Sequence, residues 1–457
     1  MPSLKNILLV NPWIHDFTAH DFWMRPLGLL CVAGVLRRAG CFRLDFIDCL
    51  DRRHPKLPVK LRTAEDGRGP FFKQRIAKPS VLRHIPRRYS RYGIPPDLFR
   101  DELRRLPVPD AVLVTGTMTY WYPGVQEAIE CLRDVWGGVP VILGGIYATL
   151  LPDHARRHSG ADVVVEGPGE RSILSVLKEV MGASLPVAEE GNDPAVFPPP
   201  AHDFLGGTDV LAVLSSRGCP FRCSFCAAPL LFDGFVRRDP EAVVAEITRH
   251  HRRLRTRHFA FYDDALLVGK KDHALPLLRR LAREALPVAL HFPNGLHVRE
   301  IDEETSLWLK RANAVSVFLS QETFDRNRLE SSCPKVGSGD LERAVRFLEK
   351  AGFDRARLNV YLLIGLPGQD GRSAREDIER VLAMGARPRL AYFSPVPGTL
   401  EWKTLVEKGF LSASADPLLH NKLVFPFTGG SMGPEEFETI RRLALARPDR
   451  SSLPGRV

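Results

Sequence analysis

The sequence predicts an α/β protein in two parts: an N-terminal doubly wound parallel sheet, then a partial (β/α)6 barrel. Three observations lead there. Short, continuous apolar runs alternate with stretches of helical spacing, the pattern of parallel strands covered on both faces by helices. The turns after the N-terminal strands are rich in glycine, as loops lining the carboxyl edge of such a sheet often are. After residue 205, six strand-like runs with helices between them follow within about 200 residues, a regularity that fits a partial barrel better than a second open sheet.

The first strand is expected at residues 5–10, ending at Asn11-Pro12. A helix over Leu27–Ala39 follows, with Gly40 placed to end it, and residues 43–49 read as the next strand. The alternation resumes with strand 111–115, helix 124–136, strands 139–143 and 162–165, and helix 170–180. The intervening turns are Thr115-Gly116-Thr117, Gly144-Gly145 and Glu166-Gly167-Pro168-Gly169. This first domain is expected to span 1–180, and the Pro-, Ala- and acid-rich segment 181–204 reads as a linker. The second domain, 205–405, shows strands at 210–215, 258–262, 289–294, 314–320, 358–364 and 389–393. Its helices are expected at 240–254, 272–285, 303–312, 340–351 and 373–383, and 406–457 forms a loosely patterned C-terminal extension.

Hydrophobic residues make up 44% of the 457, enough for ordinary cores and too many for wholesale disorder. No apolar run reaches the ~18–20 residues that cross a bilayer, and the apolar start reads as a strand rather than a signal peptide. A cytoplasmic protein without a membrane span is expected. The net charge is +10, and one segment accounts for it: residues 52–100 hold 14 Lys and Arg against Glu65, Asp66 and Asp97. This basic insertion, at about 52–105, also holds seven prolines between 52 and 100, with Phe71, Phe72, Tyr89, Tyr92 and Phe99 interspersed. It is either a solvated loop packed on its neighbours or a contact for a polyanion.

Eight cysteines are too few for a disulfide scaffold, and five of them stand singly. The other three lie in Ser216-Arg217-Gly218-Cys219-Pro220-Phe221-Arg222-Cys223-Ser224-Phe225-Cys226, just after a strand. A structural zinc site needs a fourth Cys or His from a recognisable second pair, and none is present. Three thiolates suit an iron–sulfur cube with one iron left open for another ligand. Cys333 reads either as a hydrogen-atom donor or covalent handle near the barrel mouth, or as an ordinary loop thiol.

This loop resembles the signature of the radical S-adenosylmethionine (SAM) superfamily, three cysteines spaced C-x3-C-x2-C with an aromatic before the third. The resemblance covers roughly residues 205–405. It implies that Cys219, Cys223 and Cys226 hold a [4Fe-4S] cluster. It further implies that SAM is contacted by Phe225, by Asp263 and Asp264 after the second strand, by Ser320 and Glu322 after the fourth, and by Gly365 and Pro367 after the fifth. The cluster would cleave SAM reductively to a 5′-deoxyadenosyl radical, with a reductant such as ferredoxin or flavodoxin as partner and the substrate unknown. The first domain resembles the cobalamin-binding, Rossmann-like (B12-binding) domain that precedes many such cores. That implies cobalamin contacts at Thr117, Gly144, Gly145, Glu166 and Gly167, with the corrinoid between the two domains. The family's D-x-H-x-x-G motif is absent; the sequence after the first strand reads Asn11-Pro12-Trp13-Ile14-His15-Asp16. Cobalamin is then bound without a protein ligand to cobalt, or the fold is kept without the cofactor. The expected activity is cobalamin-dependent methyl transfer to an unactivated carbon. The alternatives are a cobalamin-independent radical rearrangement, cyclisation or oxidation, and a non-catalytic iron–sulfur or electron-transfer protein.

Overall fold

The computed structural model describes residues 4–182, 198–425 and 432–445. The chain forms two compact units: residues 1–211 with Asp416–Leu419, and residues 212–415 with 420–457.

The first unit begins with β1 (Lys5–Asn11), β2 (Ile14–Asp16), β3 (His20–Asp21), α1 (Leu27–Ala39) and β4 (Phe42–Asp48). The basic insertion adds β5 (Gly69–Pro70), β6 (Lys73–Arg75), β7 (Ser90–Tyr92) and α2 (Pro96–Arg105). Then come β8 (Ala111–Gly116), α3 (Tyr122–Trp136), β9 (Val141–Gly145), α4 (Ile146–Leu150), α5 (Pro152–His158), β10 (Val163–Val164) and α6 (Gly169–Met181). The main sheet runs β10-β9-β8-β1-β4, with all four pairings parallel. Because side chains alternate along a strand, Leu8 and Val10 face α2 and α3 while Ile7 and Leu9 face α1 and α6. The doubly wound sheet is as expected.

The differences in this unit have local causes. Helix α3 starts at Tyr122 rather than 124, because Pro123 fits a first turn, where the N–H it lacks would have no partner within the helix. Strand β9 starts after Pro140 and continues through Gly145, pairing with Gly116 of β8. The insertion is not a bare loop. Strands β6 and β7 extend β2 into an antiparallel sheet of order β2-β7-β6, and β3 pairs with β5. Phe71, Tyr89, Tyr92 and Phe99 are buried, and the hydroxyls of Tyr89 and Tyr92 donate to the His15 and Phe17 carbonyls, each at 3.1 Å. Of the expected linker, 183–197 lies outside the described residues. Its last part packs on the first unit: the Ala201 N–H donates to the Leu30 carbonyl at 3.0 Å, and Phe204 stacks on Phe46.

The second unit's sheet has the order β11-β14-β15-β16-β17-β18. Its elements are β11 (Val210–Val213), β12 (Ser216–Arg217), α7 (Ala228–Leu231), β13 (Val236–Arg237), α8 (Pro240–Leu254), β14 (His258–Phe261), α9 (Ala274–Glu284), β15 (Ala289–His297) and α10 (Glu303–Arg311). They continue with β16 (Ala314–Glu322), α11 (Arg326–Ser332), α12 (Asp340–Lys350), β17 (Asn359–Ile364), α13 (Gly371–Ala383), β18 (Arg387–Tyr392), α14 (Leu400–Glu407) and α15 (Pro434–Leu445). Side chains of Asp239, Asp302, Asp325 and Asp370 accept the free N–H groups that open α8, α10, α11 and α13. Strands β15 and β16 run further than expected, to His297 and Glu322, and their pairing shifts register between Phe292 and Leu296. Gly295 makes this close approach possible: at φ 87° it has no Cβ, and one would lie 2.3 Å from the Ser320 Oγ. Among the described residues no helix is long and apolar enough to cross a membrane.

Candidate functional site

Asp263, just beyond β14, fixes the entry to the cysteine loop. Its buried carboxylate accepts the Ser215 N–H at 3.1 Å and the hydroxyls of Ser215 and Ser216, each at 2.6 Å. Burial pushes this carboxyl up, and those hydrogen bonds pull against it. Downstream, β12 pairs antiparallel with β13 and closes the loop at its base. Gly218, at φ 76°, passes so near the returning chain that a Cβ would sit 2.1 Å from the Gly234 oxygen. Within the loop the Cys226 N–H donates to the Cys223 carbonyl at 3.1 Å, and the Ala228 N–H to Cys226 Sγ at 3.5 Å. Ser224 is pinned from two sides. Its N–H donates to the Ser332 carbonyl at 3.0 Å and its hydroxyl to Glu401 at 2.9 Å.

Cys223 is buried, whereas Cys219 and Cys226 are half-buried. Burial pushes the Cys219 thiol up to about 11 and raises Cys226 as well. Cys223 moves down, because a hydrogen bond from the Cys333 thiol outweighs its burial and Lys335 adds positive charge. Cys333 is therefore not a separate loop thiol: it lies buried at the end of α11, against Cys223. Burial alone would lower Lys335, but Glu322, then Cys333 and Cys223, hold its proton firmly. The Lys335–Glu322 ion pair measures 2.9 Å. Three thiols on one tightly closed loop, an N–H aimed at one sulfur and a nearby half-buried cation suit a thiolate-bound, negatively charged cluster.

In a parallel sheet all strand exits share one edge, and the other candidates lie there. Asp264 is half-buried and pushed up to about 6 by burial and by its neighbour Asp263, and its charge acts on Cys226. Asp263, by contrast, is turned to Ser215 and Ser216, which makes it a positioning residue for the loop. Glu322 ends β16 at φ 68°, a strained backbone for a non-glycine residue. Its foundation is Asp377, whose carboxylate accepts the Thr323 hydroxyl at 2.8 Å and the Phe324 N–H at 3.1 Å. Ser320 is buried beneath Gly295. Gly365 donates its N–H to the Gln369 side-chain oxygen at 2.8 Å, and the Pro367 carbonyl accepts from Arg328 at 2.9 Å. Phe225 packs with Leu363, Leu366, Phe393 and Leu405, joining the cysteine loop to the end of β17.

In the first unit the glycine turns do separate jobs. Gly145, at φ 94°, lets β9 meet β8: a Cβ there would lie 2.7 Å from the Gly116 oxygen. A Cβ at Gly144 or Gly167 would have no neighbour within 4 Å. Thr149 ties the turns together, its hydroxyl donating to the Gly145 carbonyl at 2.9 Å and accepting the Gly167 N–H at 3.0 Å. Thr117 is half-buried just past β8, and Glu166 is exposed and paired with Arg156. The result is a ledge bare of side chains at Gly144 and Gly167, which fits the approach of a large flat ring. His15 pairs with Glu127 at 2.8 Å.

Sequence reading missed Lys335 and Thr149. Each acts across a turn or from a distant segment, and no local spacing marks it.

Residues 213–381 match the Radical SAM superfamily, and residues 89–177 match the B12 binding domain. An uncharacterized methyltransferase of Pyrococcus horikoshii is 25% identical over 335 residues, 66% of this chain and 71% of that protein. Cytidylyl-2-hydroxyethylphosphonate methyltransferase of Streptomyces wedmorensis is 26% identical, over 89% of this chain and 83% of its own length. Three other relatives are spanned over only 52–59% of their length. Among solved structures, the radical SAM methyltransferase TsrM of Kitasatospora setae, with cobalamin and a [4Fe-4S] cluster bound, superposes with a TM-score of 0.67 at 17% identity. That match covers 96% of this chain and 91% of TsrM, and it establishes a shared fold. The family brings a [4Fe-4S] cluster and SAM, and the first domain brings cobalamin. The chain is thus a radical SAM enzyme with a B12-binding domain ahead of its radical SAM domain.

Proposed function

We propose that this enzyme transfers a methyl group from SAM to an unactivated carbon in a cobalamin-dependent reaction. The observation that carries the reading is the closed loop of Cys219, Cys223 and Cys226 at a parallel-sheet edge, in a chain that also holds a B12-type sheet with a bare glycine ledge. When bound, the cluster and SAM supply reductive sulfonium cleavage and hydrogen abstraction, and cobalamin supplies a methyl carrier.

The chain's own residues position these groups. Cys219, Cys223 and Cys226 ligate the cluster; Asp263 holds their loop, and Lys335 balances their charge. Asp264, Ser320, Glu322, Gly365 and Pro367 line the SAM site, and Phe225 shields it from water. Gly144, Gly145 and Gly167, with Thr117 and the Glu166 turn, receive the corrinoid. With the D-x-H-x-x-G motif absent and His15 paired with Glu127, no histidine from that motif serves as a lower ligand. A small reductant such as ferredoxin or flavodoxin delivers the electrons, and the enzyme works in the cytoplasm.

The test is anaerobic reconstitution with iron, sulfide and hydroxocobalamin, followed by desalting, iron counting and electron paramagnetic resonance. Retained stoichiometric corrinoid, with SAM converted to both S-adenosylhomocysteine and 5′-deoxyadenosine under reductant, is the expected result. If 5′-deoxyadenosine forms alone and corrinoid changes nothing, the enzyme performs a different radical reaction. No SAM cleavage under strong reductant leaves a non-catalytic cluster protein, and an unchanged cluster signal in the triple Cys→Ala variant removes the ligand assignment.

A further inference from the structure

The basic insertion has a use that the radical chemistry does not claim. From Gly67 to Pro96 the chain has no Asp or Glu and eight Lys or Arg. Three of these are engaged: Arg68 with Asp66, Arg91 with Glu127, and Lys78 with the Ile85 carbonyl. Among the described residues, Lys73, Arg75, Arg83, Arg87 and Arg88 have no ion-pair partner and are exposed. They are held in place by a folded base, since Phe71, Leu82, Ile85, Tyr89 and Tyr92 beneath them are buried. Arg75, Lys78, Arg87 and Arg88 line an open groove of about 620 Å³ together with Ile76, Ala77, Pro86 and Tyr89.

At Arg75 this groove adjoins a free strand edge. In the sheet β2-β7-β6, β6 is terminal and all three of its residues are exposed. The Gly93 N–H donates to the Phe72 carbonyl at 2.8 Å, and the Ile76 N–H to the Tyr89 carbonyl at 3.2 Å. Hydrogen-bonded pairs alternate along an antiparallel ladder, so the main-chain groups of Gln74 face β7 while those of Lys73 and Arg75 point outward. Charged edge strands usually keep other strands away. Here the charge is of one sign only, so a strand of opposite sign is admitted where a neutral or basic one is refused.

We infer that this edge and the groove adjoining its end dock an extended, acidic segment of a second polypeptide, which adds as a fourth strand along the free edge of β6 and runs on beside the groove. Main-chain hydrogen bonds to Lys73 and Arg75 supply affinity, and Arg75, Arg87 and Arg88 select for carboxylates. A single-stranded nucleic acid fits less well. Its bases need exposed aromatic faces, whereas Phe71, Tyr89 and Tyr92 are buried and Phe72 is half-buried. The inference is independent of the methyl-transfer reading.

The experiment is fluorescence anisotropy with the full chain and a fluorescein-labelled peptide of alternating Glu and Val, in about 50 mM salt. Saturable binding is expected, at least about tenfold weaker for the alternating Lys-Val peptide and for a backbone N-methylated Glu-Val peptide of unchanged charge. The Arg75→Glu, Arg87→Glu, Arg88→Glu variant, with its melting temperature as the folding control, is expected to lose binding. The N-methylated peptide tests strand addition on the unmodified protein, whatever the variant does. No saturable binding, equal binding of the N-methylated peptide, or tighter binding of a single-stranded DNA oligonucleotide overturns the inference.

Discussion

Replacing Asp263 with alanine should release the cysteine loop while leaving the sheet in place. The carboxylate holds three donors: the Ser215 N–H and the hydroxyls of Ser215 and Ser216, on residues that are at most 1% exposed. Leaving such buried donors without an acceptor costs about 1–3 kcal/mol each. The change also removes a carboxylate that is itself buried at some cost, as its upward pKa shift shows. The Ser215 hydroxyl retains a neighbour as well, the His273 ring nitrogen at 2.9 Å. The net expectation is a loss of about 3 kcal/mol in the second unit. Asp263→Asn keeps one accepting oxygen and should lose about 1 kcal/mol. Hydrogen exchange should accelerate at Ser215 and through residues 216–226 in the alanine variant, and iron per chain after anaerobic reconstitution should fall in the same order. An Asp263→Ala chain with wild-type exchange in this segment and full iron would refute the reasoning.

The other perturbations separate positioning from binding. Asp264→Asn removes a half-buried carboxylate that titrates at about 6, so the apo chain should hold or gain stability at neutral pH while SAM affinity falls about tenfold by equilibrium dialysis. Lys335→Met leaves the Glu322 carboxylate buried alone and should cost about 3–5 kcal/mol in urea unfolding, with the Lys335→Met, Glu322→Gln double variant recovering much of it. Gly145→Ala forces a Cβ against the Gly116 backbone at a positive φ and should unfold the first unit; Gly144→Ala should leave the fold intact and reduce retained corrinoid. Asp48 is pushed from 3.8 to about 6, chiefly by burial, so the folded chain keeps a proton that the unfolded chain has lost between those values. Stability therefore falls as pH rises through that window, by up to about 3 kcal/mol. Asp48→Asn, whose oxygen can still accept from Asn11 and Leu50, should abolish that slope in urea unfolding between about pH 4 and 7; an unchanged slope would exclude Asp48 as its source.

What the sequence made legible was whatever repeats or clusters locally. The alternation of apolar runs and helices located both main sheets, because a strand buried on both faces must be apolar along its whole length. The glycine turns and the three-cysteine loop are equally local, since loop closure and metal ligation both demand fixed short spacings. Less was legible where an element is made by its partners. Strands β2, β6 and β7 are three residues each and carry no period of their own. They exist because Tyr89 and Tyr92 bury beneath them, so a segment of prolines and arginines reads as a loop until its aromatics are placed. The end of the expected linker was hidden for the same reason: Phe204 is anchored by Phe46, over 150 residues earlier.

The same logic explains the division of labour at the site. The cysteine motif states what is held, but its geometry is set by residues that no motif spacing includes. Asp263 holds the loop's entry, the Ser332 carbonyl holds its middle, and Cys333 and Lys335 meet Cys223 from a turn more than 100 residues downstream. A pair such as Asp263-Asp264 looks symmetrical in sequence. The fold separates it by environment, committing the first carboxylate to two serines and leaving the second beside Cys226. In sequence both are equal candidates for the cofactor; in the fold one holds the loop and the other acts on Cys226 through its charge. The two should therefore fail differently when changed, the first in stability and iron content, the second in SAM affinity.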